Sequence, residues 1–125
     1  MVALAVVGAA LSLTVGPGPV DAVVHVDGYA AHVRMAPNRS LRAGTVSLSL
    51  SKNGQPVEGA RVRATVTMLD MNMGTFTLAL HRTGFGRYST ADPAVGMPGR
   101  WGWRIVVRPR GAPSFEFTLV DRIRD

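Results

Sequence analysis

Strict alternation of apolar and polar residues runs through most of this chain, and a period of two is the repeat of a half-buried β-strand. Val46, Leu48 and Leu50 fall on one side of a segment whose other side is Thr45, Ser47, Ser49 and Ser51. Val62, Ala64, Val66 and Met68 alternate with Arg61, Arg63, Thr65 and Thr67, and Trp101, Trp103, Ile105 and Val107 alternate with Arg104 and Arg108. Glycine and proline punctuate the pattern about every ten residues, which favours short strands over helices. A chain of 125 residues supports one domain with a modest core. The expectation is an all-β domain.

Taken in order, seven strands are predicted. Strand A starts with Val24 and Val26 on one face and His25 and Asp27 on the other. Gly28 reads as a bulge, after which Tyr29, Ala31, Val33 and Met35 share a face opposite His32 and Arg34, until Pro37-Asn38 ends the strand. Strand B follows, and the turn from Asn53-Gly54 through Ala60 leads into strand C, which ends at Met68. Strand D places Phe76, Leu78 and Leu80 inward. Thr83 to Gly86 turns the chain into a short strand E containing Tyr88, and a Pro/Gly-rich loop of residues 92–99 leads to strand F. Strand G, after the turn from Pro109 to Pro113, presents Phe115, Phe117 and Leu119 to the core. This spacing predicts a seven-stranded antiparallel sandwich of immunoglobulin-like type, without the Cys–Trp–Cys signature of antibody domains.

Residues 2–15 carry no charge, and the run is shorter than the roughly 20 residues that span a bilayer. It has the length and small-residue texture of a signal-peptide core, although no Lys or Arg precedes it. Residues 1–21 are therefore expected to be a signal peptide or membrane anchor with a Gly/Pro linker, and residues 22–125 the domain. Both alternatives make the domain extracytoplasmic, either secreted or anchored to the cell membrane.

With no cysteine in the chain, disulfides, thiolate metal sites and thiol catalysis are excluded, so a transition-metal site must use Met, His or carboxylates. Three of the six methionines crowd the stretch Met68-Leu69-Asp70-Met71-Asn72-Met73-Gly74 between strands C and D. Turns collect Gly, Asn, Asp, Pro and Ser, so Met71 and Met73 are out of place there. In an antiparallel sandwich successive connections fall at alternate ends. On that count the end of strand A, the C–D loop and the E–F loop share one end, which gathers Met35, Met71, Met73 and Met97, with His32 on the outer face of strand A nearby. A soft Cu(I) ion accepts thioethers and imidazole, so Met71, Met73, Met97 and His32 are the candidate metal ligands. The competing reading is that these flexible side chains close that end of the core beneath Trp101. Met68 continues an inward series and is expected in the core. His25 and His81 go to the opposite end. Calcium is disfavoured, since no loop carries a dense set of carboxylates.

The formal charge of +6 is nearly all arginine, with Lys52 the only lysine. An anionic partner is one reading of it. The scatter of the arginines, with no stacking aromatics among them, favours solvated strand faces and argues against nucleic acid. An enzyme is not expected: there is no G-x-S-x-G and no H-E-x-x-H, and no positioned serine completes a triad with His25 and Asp27.

The run Asn53-Gly54-Gln55-Pro56-Val57-Glu58-Gly59-Ala60-Arg61-Val62, then Met71-Asn72-Met73, Gly86-Arg87-Tyr88 and Gly99-Arg100-Trp101, in that order, resembles the YtkA-like domain over about residues 44–108. That resemblance implies a small immunoglobulin-like extracytoplasmic module of bacteria, found alone or attached to copper-transport membrane proteins of the CopD/YcnJ kind. It also implies that the loop bearing Met71 and Met73 handles copper. No histidine follows Gly74 closely, unlike the more His-rich versions of that loop, which leaves a weak Cu(I) site as the expectation. The expected function is non-catalytic: to bind copper transiently or hand it to a membrane partner. The alternative is a metal-independent immunoglobulin-like interaction or accessory module of the bacterial envelope, docking by a strand edge or a basic face.

Overall fold

The computed structural model describes residues 10–14, 20–36, 44–70, 74–92 and 99–123. They form ten strands: β1 (Ala10–Thr14), β2 (Val20–Val26), β3 (Tyr29–Ala36), β4 (Gly44–Lys52), the two-residue β5 (Gln55–Pro56), β6 (Arg61–Met68), β7 (Thr75–Gly84), β8 (Arg87–Asp92), β9 (Gly99–Arg108) and β10 (Phe115–Ile123). The all-β expectation holds. The count of seven does not, and each extra strand has an identifiable origin.

The predicted strand A is two strands. Asp27 and Gly28 have φ of 50° and 83°, so the chain reverses there and β2 pairs antiparallel with β3, Val26 facing Tyr29 and Val20 facing Met35. Positive φ at both central residues is the type I′ geometry that matches the twist of the flanking strands, and Asp-Gly is among its preferred pairs. A bulge would have kept the chain running in one direction. Ala10–Thr14 adds a strand by pairing parallel with β10. The stub β5 forms where Asn53-Gly54 folds Gln55 and Pro56 back onto β4.

The strand order is β1-β10-β9-β6-β7-β8-β4-β3-β2. Apart from the β1–β10 pair, every pairing is antiparallel. β7 joins the two halves: Thr75 to Leu80 pair with β6, and from His81 onward the strand pairs with β8. The sheet thus bends over on itself along one strand, and its two flanks come together where the Tyr29 ring on β3 stacks on the Phe115 ring on β10, centroids 4.7 Å apart. The result is nearly a barrel.

The alternating residues supply the interior. Val24, Val33, Leu48, Val66, Trp103, Ile105, Phe117 and Leu119 are all essentially inaccessible, and burying each large side chain contributes about 1.5–3 kcal/mol. Phe76 departs from the expected inward set of its strand and is 37 % exposed, with Leu78 half-buried and Leu80 buried. The cause is position: from Thr75 to Leu80 this strand is paired with β6 alone, at the edge of the half built on β6 and β9. Met35 and Met68 are both core residues.

Candidate functional site

Register places the connections. Met68 faces Trp101, Thr67 faces Thr75, Gly44 faces Asp92 and Val20 faces Met35. The end of β3, the start of β4, the end of β6, the start of β7, the end of β8 and the start of β9 therefore lie at one end of the barrel. Met71, Met73 and Met97 lie outside the described residues; the strand ends that flank them are at that shared end.

What can be followed there is the base of two methionine-bearing connections. Asp70 directly precedes Met71. Its carboxylate accepts the Arg100 backbone N–H at 2.9 Å and the Arg100 Nε–H at 2.8 Å, and a second guanidinium nitrogen of Arg100 also lies at 2.8 Å. The Leu69 N–H donates to the Arg100 carbonyl at 2.9 Å. Residues 69–70 are thereby tied to residue 100, three positions after Met97. Gly99 permits the approach: a Cβ there would lie 2.6 Å from the Met68 methyl and 3.1 Å from Asp70 Oδ2. Beneath the brace lie the buried Met68 and Trp101, and opposite Trp101 on β10 is Asp121, a carboxylate only 1 % exposed. Leu69, 43 % exposed, leans over Gly102.

His32 stands apart from this group. It is on the outer face of β3, opposite Ser49 on β4 and Val23 on β2, four residues short of the strand's last residue, Ala36. At about 3.3 Å per residue that is ~13 Å down the strand. Its Nε2 is hydrogen-bonded to the Asp21 carboxylate on β2. The hydrogen bond from His32 holds the Asp21 carboxyl below the ordinary carboxylate range, aided by Arg34 nearby. With Nε2 donating, Nδ1 is the ring nitrogen left with a lone pair. His25 and His81 are near the opposite end, paired with Ala30 and Ser89.

At that opposite end the distinctive run from Asn53 to Ala60 has a structural role. Tyr88 Oη donates to the Val57 carbonyl at 2.7 Å and accepts from the Ala60 N–H at 3.2 Å. Glu58 accepts from the Gly86 N–H at 2.7 Å and from Arg82 Nε at 2.6 Å. Its carboxyl is held low chiefly by Arg82 and then by that backbone N–H. Gly86 has no room for a Cβ, which would come within 2.7 Å of the Leu50 carbonyl oxygen and 2.8 Å of Pro56. These residues clasp the loop before β6 to the β7–β8 turn.

Sequence reasoning missed three features. Asp70 stood between two methionines without a role, and nothing local names Arg100 as its partner. Asp121 continues the inward series of Phe115, Phe117 and Leu119 by one further step of two, so its burial was available from the alternation. Arg108 was counted only as an outer-face residue, though it faces Arg61 across the β6–β9 pair. No group of three or more His, Asp or Glu side chains suited to a metal ion occurs among the described residues. A site for a soft ion would have to draw on thioethers.

Fold and site together define a small extended-strand barrel with braced loops at one end and a loop clasp at the other. The chain belongs to the YtkA-like family, whose profile matches residues 24–106. That is wider than the 44–108 resemblance at the front and takes in the β2–β3 hairpin. A solved structure of a DUF4426 family protein from Pseudomonas aeruginosa is similar in fold, with a TM-score of 0.67 and 20 % identity, covering 83 % of this chain and 94 % of that one. No curated protein matches this chain.

Proposed function

We propose that this is a non-catalytic extracytoplasmic module of immunoglobulin-like type that binds Cu(I) weakly as cargo and passes it to a copper-transport membrane protein. The ion would be held by the thioethers of Met71, Met73 and Met97, with His32, ~13 Å down β3 and hydrogen-bonded to Asp21, outside that ligand set. The observation that carries this reading is the Asp70–Arg100 brace, because it ties the start of one methionine-bearing connection to the end of another. Fixing the bases of two loops lowers the ordering cost of bringing their donors together. The donor chemistry agrees: thioethers select soft monovalent copper over divalent and hard ions. Membership of the YtkA-like family supports the assignment. Ala10–Thr14, part of the uncharged run of residues 2–15, is paired with β10 as a strand of the barrel, which speaks against that run's being removed as a signal peptide; no helix among the described residues is long and apolar enough to cross a membrane.

The test is titration of Cu(I) against a chromophoric competitor, using the full chain and a Met71→Ala/Met73→Ala variant. The wild type should compete and the variant should lose affinity by about tenfold or more, since each tenfold step is only about 1.4 kcal/mol. Equal and negligible competition by both proteins would end the copper assignment.

A further inference from the structure

A second site lies on the outer face of the half-barrel made by β6, β7 and β9, away from the methionine-bearing end. Arg61 and Arg108 face each other directly across the β6–β9 pair, and Arg63 is two residues along β6, facing Val106. Like charges placed directly opposite in an antiparallel pair destabilise the sheet. Three other surface arginines are matched: Arg104 Nε donates to Glu116 at 2.8 Å, Arg82 to Glu58 at 2.6 Å and Arg100 to Asp70 at 2.8 Å. Among the described residues no carboxylate pairs with Arg61, Arg63 or Arg108. These three instead line a depression of about 240 Å³, together with Val106, Thr65 and Thr77. Thr65 and Thr77 are themselves directly opposed on β6 and β7. A second depression continues the basic surface past Arg61 and Arg63 to His81.

We propose that this depression binds a phosphate group. Three arginines line one concavity, each able to give two parallel N–H donors to a pair of oxyanion oxygens. Two threonine hydroxyls add neutral donors to the same space. A carboxylate would engage one fork, whereas a tetrahedral oxyanion offers oxygens to all three at once. Its charge would cancel the repulsion that the empty sheet carries between Arg61 and Arg108. The phosphate could be free or part of a phospholipid headgroup, and both present the same oxygens. The inference is independent of copper handling, since it shares no residue with the methionine-bearing end.

The full chain is titrated with inorganic phosphate at low ionic strength, with chloride of matched ionic strength as the blank. Binding is read from the guanidinium Nε–H resonances and from the thermal midpoint. The wild type should bind and gain in midpoint by mass action. Arg61→Gln/Arg108→Gln should lose about tenfold or more in affinity, and should be the more stable protein without phosphate because the opposed charges are gone. Arg63→Lys keeps the charge but loses the fork, and should fall between the two. Arg104→Gln, which alters an arginine already matched by Glu116, should bind as the wild type does. Sedimentation with phosphatidylcholine vesicles, with and without phosphatidic acid, separates the sources. Capture only by the acidic vesicles in addition to phosphate binding assigns a lipid headgroup, and phosphate binding without capture assigns the free ion. No phosphate binding, a midpoint gain no larger than that from chloride, or equal affinity in the Arg61→Gln/Arg108→Gln variant would overturn the proposal. Binding of polyglutamate in place of phosphate would overturn it in favour of an acidic protein surface.

Discussion

Asp21 sits between His32 and Arg34 on the outer face of the β2–β3 hairpin, hydrogen-bonded to His32 Nε2 and 3.9 Å from Arg34. Because its carboxyl titrates below the ordinary range in the folded protein, the folded state favours the ionised form. The sign follows from linkage: a depressed carboxylate contributes stability that is present above its unfolded value and is lost as pH falls through its folded value. Asp21→Asn should therefore be less stable than the wild type near neutral pH. The difference should close as pH drops below about 4, where the unfolded carboxylate itself takes up a proton. Thermal midpoints of both proteins between pH 2 and 6 would show converging curves, and parallel curves would refute a role for the Asp21 charge. The same contact bears on His32 as a copper donor. One ring nitrogen is committed to Asp21, and the whole side chain was visible in the sequence only as an outward-facing position. Alternation by two reads which face a residue occupies, and it is silent about which neighbour on that face takes its hydrogen bond.

At the scale of elements, the alternation found nearly every buried side chain: Val46, Leu48 and Leu50 on β4, Val62 to Met68 on β6 and Trp101 to Val107 on β9 are all interior. What it could not give was where a strand stops being one strand. Asp27-Gly28 flanked by alternating apolar residues is a hairpin signal in its own right. It reads as a bulge because both features place Gly at positive φ, and only the partner strand distinguishes them. The parallel pairing of β1 with β10 joins residues about a hundred positions apart, and no local pattern encodes it. The shared end of the connections was legible from strand parity, because splitting strand A into a hairpin changes only what precedes β3. The brace within it was not, since Asp70 and Arg100 are thirty residues apart. That brace gives a prediction at this scale. Asp70→Ala removes the carboxylate that holds residue 100 and leaves Met71, Met73 and Met97 in place. Cu(I) affinity should fall by roughly tenfold, the loss expected when donors must be ordered at the moment of binding. The thermal midpoint should move little, because Asp70 is an exposed residue and pairs of that kind contribute about 0–1 kcal/mol. Unchanged competition by Asp70→Ala would show that the brace does not organise the ligands.

The whole molecule depends on a sheet that bends once, along β7, and must then be held shut at the opposite margin. Hydrogen bonds run through the bend, since β7 pairs with β6 as far as Leu80 and with β8 from His81 onward. Among the described residues no ladder joins β2 to β1 or β10, although β2 and β10 lie against each other. Closure there relies on side chains, and the Tyr29–Phe115 stack is its most specific contact. Lys52 lies 4.7 Å over the Tyr29 ring on the solvent side, capping the pair. Offset aromatic pairs contribute about 0.5–1.5 kcal/mol beyond the area they bury. Truncating Phe115 should cost the larger sum of lost burial and cavity, about 3–5 kcal/mol. A double-mutant cycle with Tyr29→Leu and Phe115→Leu separates the two contributions, since leucine keeps most of the apolar volume and discards the ring geometry. If the stack closes the barrel, the coupling energy from urea denaturation should fall in the 0.5–1.5 kcal/mol range. Amide exchange should then quicken first in β2, which pairs with β3 alone, while β6 and β9, paired on both sides, stay protected to the level of global unfolding. A coupling near zero, with exchange rising uniformly over all strands, would mean that the bend in β7 alone keeps the margins together.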